Sequence, residues 1–297
     1  MVSVMVQQSF WSGITIGFIY GLIALGFALI YNVSKILNIA QGELVMAGAL
    51  MLYSFVSVFH TPIWLAFILV NLVAGAVGAV LVKGAIEPLK KPEPLTYIIA
   101  TIAFSEIIRG TALLIWGTDN FAIPSFIKST SISIFSASVD SQSLLVIGVS
   151  LLIYFSFSWV NKHTNFGISL NAISGDPYAA QLMGINVKAM TIIVFIIGSG
   201  MAAIGGILIG PLTTMSYYQG TMLGIKGFIA GMIGGIGSYK GAILGGLVLG
   251  LFESFAAGFL SSLFKDAFAL LLLFIMLVFL PNGLGDLKKV FKVSHSN

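Results

Sequence analysis

Four polar side chains stand inside otherwise apolar stretches of this sequence, where they could contact a solute that crosses a membrane. Asn38, Gln41 and Glu43 form one group, and Glu253 stands alone after a glycine-rich segment. Polar and ionisable groups are costly at membrane depth, and they commonly mark solute or ion pathways. All four residues are therefore candidates for a translocation path. Hydrogen bonding to neighbouring backbone is the alternative interpretation for the first three, and the sequence does not identify a partner for Glu253.

Two further charges, Glu106 and Arg109, lie three residues apart in another apolar stretch. This spacing places both side chains on one face of a helix, where they can form an ion pair. We predict a self-neutralising pair that fixes the packing of its helix.

The sequence offers neither a catalytic set of residues nor a metal site. It contains no cysteine, and His60, His163 and His295 are far apart. The glycine-rich run 234–237 lacks the Lys-Ser/Thr pair that completes a phosphate-binding loop. We therefore expect a chain that is no enzyme and binds no cofactor or metal. If ATP drives its activity, the nucleotide must bind to another subunit.

The composition is that of an integral membrane protein. Of the 297 residues, 58% are hydrophobic and only 8% are charged, and the mean hydropathy is +1.06. Soluble domains carry about 25% charged residues, so a soluble protein is excluded. The net charge of +4 comes from lysines at the ends of apolar stretches, and Arg109 is the only arginine. Membrane lipid is thus the expected surroundings, and nucleic acid is not an expected partner.

The apolar stretches predict a single all-α transmembrane domain that occupies residues 1–297. About 20 residues are needed to cross about 30 Å of hydrocarbon. Eight stretches approach or exceed this length, at 10–31, 36–58, 63–86, 95–117, 143–160, 189–213, 241–262 and 266–281. With one shorter segment, the prediction is a helical bundle of about eight to nine spans.

The shorter segment, residues 224–236, is predicted to be a half-helix or re-entrant segment. It is too short to span a membrane and is rich in glycine. Such broken segments occur only where protein or a cavity surrounds them, often beside a translocation path. Glycines also recur every four residues, as in Gly13, Gly17 and Gly21, which favours close helix packing within one subunit or in a dimer.

The polar stretch 161–188 contains the signals of a short helix that begins at Asp176 and ends at Gly184. Asp176 can cap the first backbone N–H groups, and Pro177 suits the first helical position. Gly184 can adopt the left-handed conformation that ends a helix, with Ile185 packing back on the last turn. Such a helix suits docking into a groove on a partner, and a connecting helix on the membrane surface is the alternative. The candidate contact residues are Asp176, Pro177, Tyr178, Ala179, Ala180, Leu182, Met183, Gly184 and Ile185.

The lysines predict the orientation of the chain. Cytoplasmic segments of membrane proteins carry the excess of Lys and Arg. If 161–188 is cytoplasmic, the N-terminus lies outside, the C-terminus lies in the cytoplasm, and ten lysines lie on the cytoplasmic side against three outside. The ten are Lys35, Lys83, Lys90, Lys91, Lys162, Lys188, Lys240, Lys288, Lys289 and Lys292, and the three are Lys128, Lys226 and Lys265.

The loop 118–142 then lies outside, and it is rich in Ser and Thr. Its length suits contact with an external partner, and a solvated connector is the alternative.

Four blocks of this sequence resemble the LivH-type permeases of branched-chain amino-acid ABC importers. They are GLIALGFALIYNVSKILNIAQGELVMAGA at 21–49, AAQLMGINV at 179–187, MAAIGGILIG at 201–210 and GGIGSYKGAILGGLVLG at 234–250. The resemblance runs through Pro281-Asn282-Gly283. The chain departs from the family pattern at Gln41, where the family often has His, and at Glu106 and Arg109, where it is more charged than usual.

The resemblance implies a fold similar to type II ABC importer permeases and a multi-pass location in the plasma (inner) membrane. It implies four other components: a second, related permease, two cytoplasmic ATPase subunits that bind ATP and Mg²⁺, and an external solute-binding protein. Residues 161–188 would form the cytoplasmic coupling loop, with the short helix seated in an ATPase cleft. Leucine, isoleucine and valine would be the solutes.

Two alternatives remain for the transported solute and the mechanism. Urea or short-chain amides, which close relatives carry, are the alternative solutes. A self-sufficient secondary transporter or channel is the alternative mechanism, and its flux would depend on Glu43, Glu106 or Glu253. A membrane-embedded enzyme has no catalytic constellation to support it.

Overall fold

The computed structural model describes residues 2–90, 93–127, 130–134, 137–279 and 283. The helices of this part are α1 (Val2–Ser34), α2 (Gln41–Tyr53), α3 (Ile63–Leu81), α4 (Pro94–Trp116), α5 (Ser141–His163), α6 (Asn165–Gly175), α7 (Pro177–Leu182), α8 (Val187–Ile209), α9 (Gln219–Gly234), α10 (Tyr239–Phe259) and α11 (Lys265–Phe279). Short π-helical turns continue α2 (Ser54–Val58) and α3 (Val82–Ile86), and a 3-10 turn (Ser262–Phe264) precedes α11.

The predicted all-α membrane bundle is confirmed. Within the described residues, eight helices are long and apolar enough to cross a membrane. Most bounds differ by a few residues from the predicted spans, because apolar composition does not mark where backbone hydrogen bonds stop. The largest differences are at α1, which starts at Val2 rather than at residue 10, and at α2, which starts at Gln41 rather than at residue 36. Residues 280 and 281 of the last predicted span lie outside the described residues.

Helix α1 forms the centre of the bundle. It carries no charged residue along its 33 positions, and Leu22, Ile23 and Leu25 are fully buried. Helices α8, α9 and α10 all pack against it. A helix that is apolar on all sides is stable only when other elements surround it, which explains this central position.

Glycines bring α1 and α10 into direct backbone contact. A Cβ atom on Gly246 would meet backbone atoms of Gly17 and Gly21, and one on Gly13 would meet Gly250 and Leu251. Small residues at such crossings let helices approach closely enough for dispersion contacts along both backbones. The predicted use of these glycines within one subunit is confirmed at this crossing.

We expect Gly246→Ala to destabilise the protein by about 1–3 kcal/mol, because the added methyl group overpacks the α1–α10 crossing. The measurement is thermal unfolding in detergent. Gly148→Ala on α5 is the matched control, since a Cβ atom there meets nothing within 4 Å. Equal unfolding temperatures for the two variants would contradict the packing described here.

The segment between α4 and α5 is more structured than a solvated connector. Strands β1 (Ser131–Ile134) and β2 (Ala137–Asp140) pair as an antiparallel hairpin. Phe121 pairs with Met215 through two backbone hydrogen bonds of 2.8 and 2.9 Å, and Ile123 is buried. These apolar residues anchor the segment over the connection between α8 and α9. Contact with an external partner and a solvated connector both stay predictions for the rest of the segment.

Candidate functional site

The first element of the candidate site is a break between α1 and α2. Lys35 adopts a left-handed conformation (φ 56°) directly after α1 and turns the chain back toward the bundle. Residues 36–40 then return into the interior without helical structure. Thr101 of α4 fixes this segment, because its hydroxyl accepts from Ile39 N at 3.3 Å while its single proton is donated to Ile98 O of its own helix at 2.9 Å. The predicted span at 36–58 thus begins with five non-helical residues, and its helical part starts at Gln41.

Helix α2 consequently begins deep inside the bundle. The Gln41 side chain donates to the carbonyl oxygen of Gly198 at 2.9 Å, and Gly198 is the middle residue of α8. Gln41 also lies against Gly26 of α1, which is about 12 Å along the axis from the end of that helix at Ser34. The N-terminus of α2 therefore lies at about half the depth of the membrane bundle.

Helix α9 begins at the same depth and meets the start of α2. Residues 210–218 return into the bundle after α8, mostly without helical structure, and α9 starts at Gln219. Gly42 of α2 lies directly against Gly220 and Gly224 of α9, and added methyl groups would clash there. Residues 224–236 were predicted to form a half-helix or re-entrant segment. The structure confirms a segment of this kind, although its helix occupies residues 219–234. Two helix N-termini, each of which carries a partial positive charge, therefore meet at mid-depth.

The three polar residues of the α2 start are brought together at this junction. Asn38 and Gln41 are fully buried and Glu43 is 2% exposed. Asn38 Nδ2 donates to Gln41 Oε1 at 3.3 Å, and the Thr221 hydroxyl of α9 donates to Glu43 Oε1 at 2.7 Å. Hydrogen bonding to backbone, the alternative interpretation, holds only for Gln41.

Two oxygen atoms at the junction, Asn38 Oδ1 and Glu43 Oε2, have no hydrogen-bond partner. Leaving buried oxygen atoms unpaired is costly, so such positions call for a role beyond packing. The arrangement can therefore exchange hydrogen bonds with a polar solute.

Glu253 lies away from the junction of α2 and α9, and it has its own charged and hydrogen-bonding partners. Its carboxylate accepts from Lys226 Nζ at 2.6 Å and from the Tyr20 hydroxyl at 2.9 Å. Lys226 Nζ also lies 2.7 Å from Asp266 Oδ1. The two groups form an ion pair, but their geometry is not that of a hydrogen bond. Sequence reasoning missed these partners, although a lysine within the apolar run 224–236 was a signal that a buried acid should match it.

The buried position of Lys226 also changes the predicted count of lysines on the two sides of the membrane. Lys226 is 4% exposed inside α9 and is not a surface residue of either side, so its place among the outside lysines is wrong. Lys35 donates to Ser174 O of α6, and Asn32 donates to Gly237 O. These contacts place the end of α1, the segment 161–188 and the α9–α10 turn on one side, as predicted. Lys91, Lys128, Lys288, Lys289 and Lys292 lie outside the described residues.

The Glu106–Arg109 pair forms as predicted, but it does not fix packing between helices. The Glu106 side chain is 59% exposed and the Arg109 side chain 29% exposed on the outer face of α4. The prediction that the pair holds helices together is wrong, because α4 lies at the periphery of the chain.

The short helix α7 has the predicted caps. The Asp176 carboxylate accepts from Tyr178 N at 2.9 Å and from Ala179 N at 3.1 Å. Gly184 has φ 86°, and Ile185 N donates back to Ala180 O at 3.1 Å. Six helical residues would not be stable alone in water, so these caps and the tertiary contacts hold the helix.

One face of α7 projects away from the chain. Tyr178 is 70% exposed, Leu182 72% and Met183 84%. Ala180 is the exception among the nine predicted contact residues, since it is 3% exposed and packs inward. Ala180 therefore supports α7 from its inner side, and the role of the nine residues in coupling stays a prediction. Helix α6, which the sequence did not predict, connects α7 to α5 and contacts Lys35 at the end of α1.

Comparison with known proteins identifies relatives along almost the whole chain. The family described as branched-chain amino acid transport system / permease component matches residues 9–280. The LivH permease protein of the high-affinity branched-chain amino acid transport system of Salmonella typhimurium is 30% identical over 96% of this chain and 97% of its own. The corresponding BraD protein of Pseudomonas aeruginosa is 29% identical over the same shares.

A solved structure has a similar fold. PsaBC from Streptococcus pneumoniae in complex with Fab aligns with a TM-score of 0.50 and 16% sequence identity. The alignment covers 93% of this chain and 92% of that one. At this identity the likeness concerns the fold alone. The sequence match over residues 9–280 shows that the chain belongs to the family of permease components of branched-chain amino acid transport systems.

Proposed function

We propose that this protein is the permease subunit of an ATP-driven ABC importer that carries leucine, isoleucine and valine. The observation that supports this most strongly is the family match over residues 9–280. Relatives that align over 96% of the chain are named high-affinity branched-chain amino acid permeases. As a transport subunit the chain is not itself an enzyme.

In this proposal α7 is the coupling helix. Its exposed apolar face, formed by Tyr178, Leu182 and Met183, seats in a cleft of a cytoplasmic ATPase subunit. Two such subunits bind ATP and Mg²⁺ and convert hydrolysis into movement of α7. The segment 161–188 is then cytoplasmic, the hairpin lies outside beside an external solute-binding protein, and a second, related permease completes the pore in the plasma membrane. The N-terminus is outside and the C-terminus is cytoplasmic.

The junction of α2 and α9 is the proposed gate of the translocation path. Movement of α7 reaches it through α6, because Lys35 joins Ser174 of α6 to the end of α1. The segment 36–40 follows Lys35 and leads directly to Asn38, Gln41 and Glu43. Separation of the two helix starts would expose the unpaired oxygen atoms of Asn38 and Glu43 to a passing solute.

Uptake of labelled solute tests the function and the solute together. Cells that lack the gene are complemented with the wild-type protein, and uptake of leucine and urea is measured in parallel. We expect restored uptake of leucine, inhibited by excess isoleucine or valine, and no change for urea. Restored urea uptake without leucine uptake would reject the proposed solute and keep the permease class.

A further inference from the structure

A cavity of about 730 Å³ lies within the chain, beside the junction of α2 and α9. Its wall includes Gln8 and Ser138 near the mouth, and its floor is formed by Tyr20, Lys226 and Glu253. Tyr20 is twelve residues beyond Gln8 on α1, so the cavity reaches about 18 Å into the bundle. Cavities of about 300–1,000 Å³ are typical of small-molecule sites.

The floor of the cavity carries charges of both signs in a buried setting. The side chains of Lys226 and Glu253 are only 5% and 6% exposed, whereas Asp266 is 42% exposed. The Lys226 ammonium has three N–H groups and donates one of them to Glu253, whereas its contact with Asp266 is an ion pair without a hydrogen bond. Donor capacity of Lys226 and acceptor capacity of Asp266 thus remain for a ligand.

The other charged groups of the lining are Lys265, next to Asp266, and Asp140 at the mouth. Asp140 accepts from Gln142 N and caps α5, so its carboxylate already has a structural partner. Apolar side chains complete the wall, among them Trp11, Ile16 and Met222. The cavity therefore combines a donor, an acceptor and an apolar wall.

We propose that this cavity binds a zwitterionic amino acid with an apolar side chain. Lys226 binds the α-carboxylate, Asp266 binds the α-ammonium, and the side chain contacts the apolar wall. A ligand with one charge would satisfy only one of the two groups, which is why a zwitterion fits this floor best. The inference rests on the proposed function, in which this mouth faces outside and receives the solute before the gate.

A direct connection links the cavity to the gate. Thr221 lines the cavity and donates to the Glu43 carboxylate of the junction. The wall of the cavity is therefore one hydrogen bond from the group proposed to open next. The site belongs to a single permease chain, so each permease of this kind in the pore has its own.

Equilibrium dialysis of the purified full-length protein with labelled leucine tests the site. We expect saturable binding of leucine and at least about tenfold weaker binding of its analogues 4-methylpentanoate, which lacks the ammonium group, and 3-methylbutylamine, which lacks the carboxylate. If the amine alone binds as tightly as leucine, the cavity is a cation site and the proposal is overturned.

Three variants locate the site within the cavity. Asp266→Asn and the double variant Lys226→Met/Glu253→Gln should each weaken leucine binding at least about tenfold. Ser12→Trp, which fills an exposed position on the wall and changes no charge, should prevent binding by occupying the space. Lys240→Gln, at the opposite end of α10, is the matched control and should bind leucine like the wild type.

Wild-type affinity in any of the three variants overturns the proposal. If the double variant does not fold, Asp266→Asn and Ser12→Trp decide the outcome, because both leave the Lys226–Glu253 pair intact. Failure of this proposal is distinguishable from failure of the proposed function. Cells that import leucine through a protein without leucine binding at this cavity would reject the site alone, whereas cells that import no leucine would reject the function.

Discussion

Leucine uptake should fall at least about tenfold, close to the level of cells without the gene, when Leu182 is replaced by arginine. Leu182 is 72% exposed on α7 in this chain, so an arginine there costs the isolated permease little. In the proposed complex the same position enters an apolar cleft of the ATPase. Burying an unpaired charge in such an interface costs several kcal/mol, which is enough to remove productive coupling.

The control for this variant is Leu182→Met, which keeps an apolar side chain of similar volume and should support nearly normal uptake. Protein levels in the membrane are measured for both variants by quantitative blotting. Wild-type uptake by Leu182→Arg at equal protein level would contradict the coupling role of α7. Loss of the protein from the membrane would instead show that Leu182 serves the fold.

The largest effect on stability is expected for Lys226→Met. This change leaves the Glu253 carboxylate buried against Tyr20 without its cation, and removing one partner of a buried ion pair typically costs about 3–5 kcal/mol. Asp266 also loses its cation, but it is half-exposed and can hydrate. We expect a large drop in the unfolding temperature, or loss of folded protein.

The double variant Lys226→Met/Glu253→Gln should recover most of that loss. A neutral amide can still accept from the Tyr20 hydroxyl, and no buried charge remains. The measurement is thermal unfolding of the single variants and the double variant in the same detergent. Additive losses in the double variant would contradict the pairing, because independent sites add and coupled sites do not.

The elements that hydrophobicity and capping rules describe were predictable from the sequence. Asp176 and Gly184 mark the two ends of α7 by residue type alone, and both perform the expected role. The group of Asn38, Gln41 and Glu43 was recognisable because polar residues at membrane depth are rare. The lengths of the apolar stretches predicted the helical bundle, and the resemblance to the permease family added the expected type of fold.

The contacts that build the site were not predictable, because they join residues far apart in the chain. Glu253 meets Tyr20 across 233 positions, and Thr221 meets Glu43 across 178. Neither pair has a sequence pattern of its own. The break after α1 was hidden for a different reason, since residues 36–40 include enough apolar side chains to resemble the start of a helix. A break of this kind depends on partners such as Thr101, which only the fold provides.

Whether this protein is an ABC permease is tested most directly by finding the energy source of leucine uptake. The cells used carry this protein as their leucine importer. Uptake is measured after ATP is depleted with arsenate, and separately after an uncoupler collapses the ion gradient while ATP is maintained. We expect ATP depletion to stop uptake and the uncoupler to leave most of it. Uptake that persists without ATP and stops with the uncoupler would contradict an ABC permease and indicate an ion-coupled transporter.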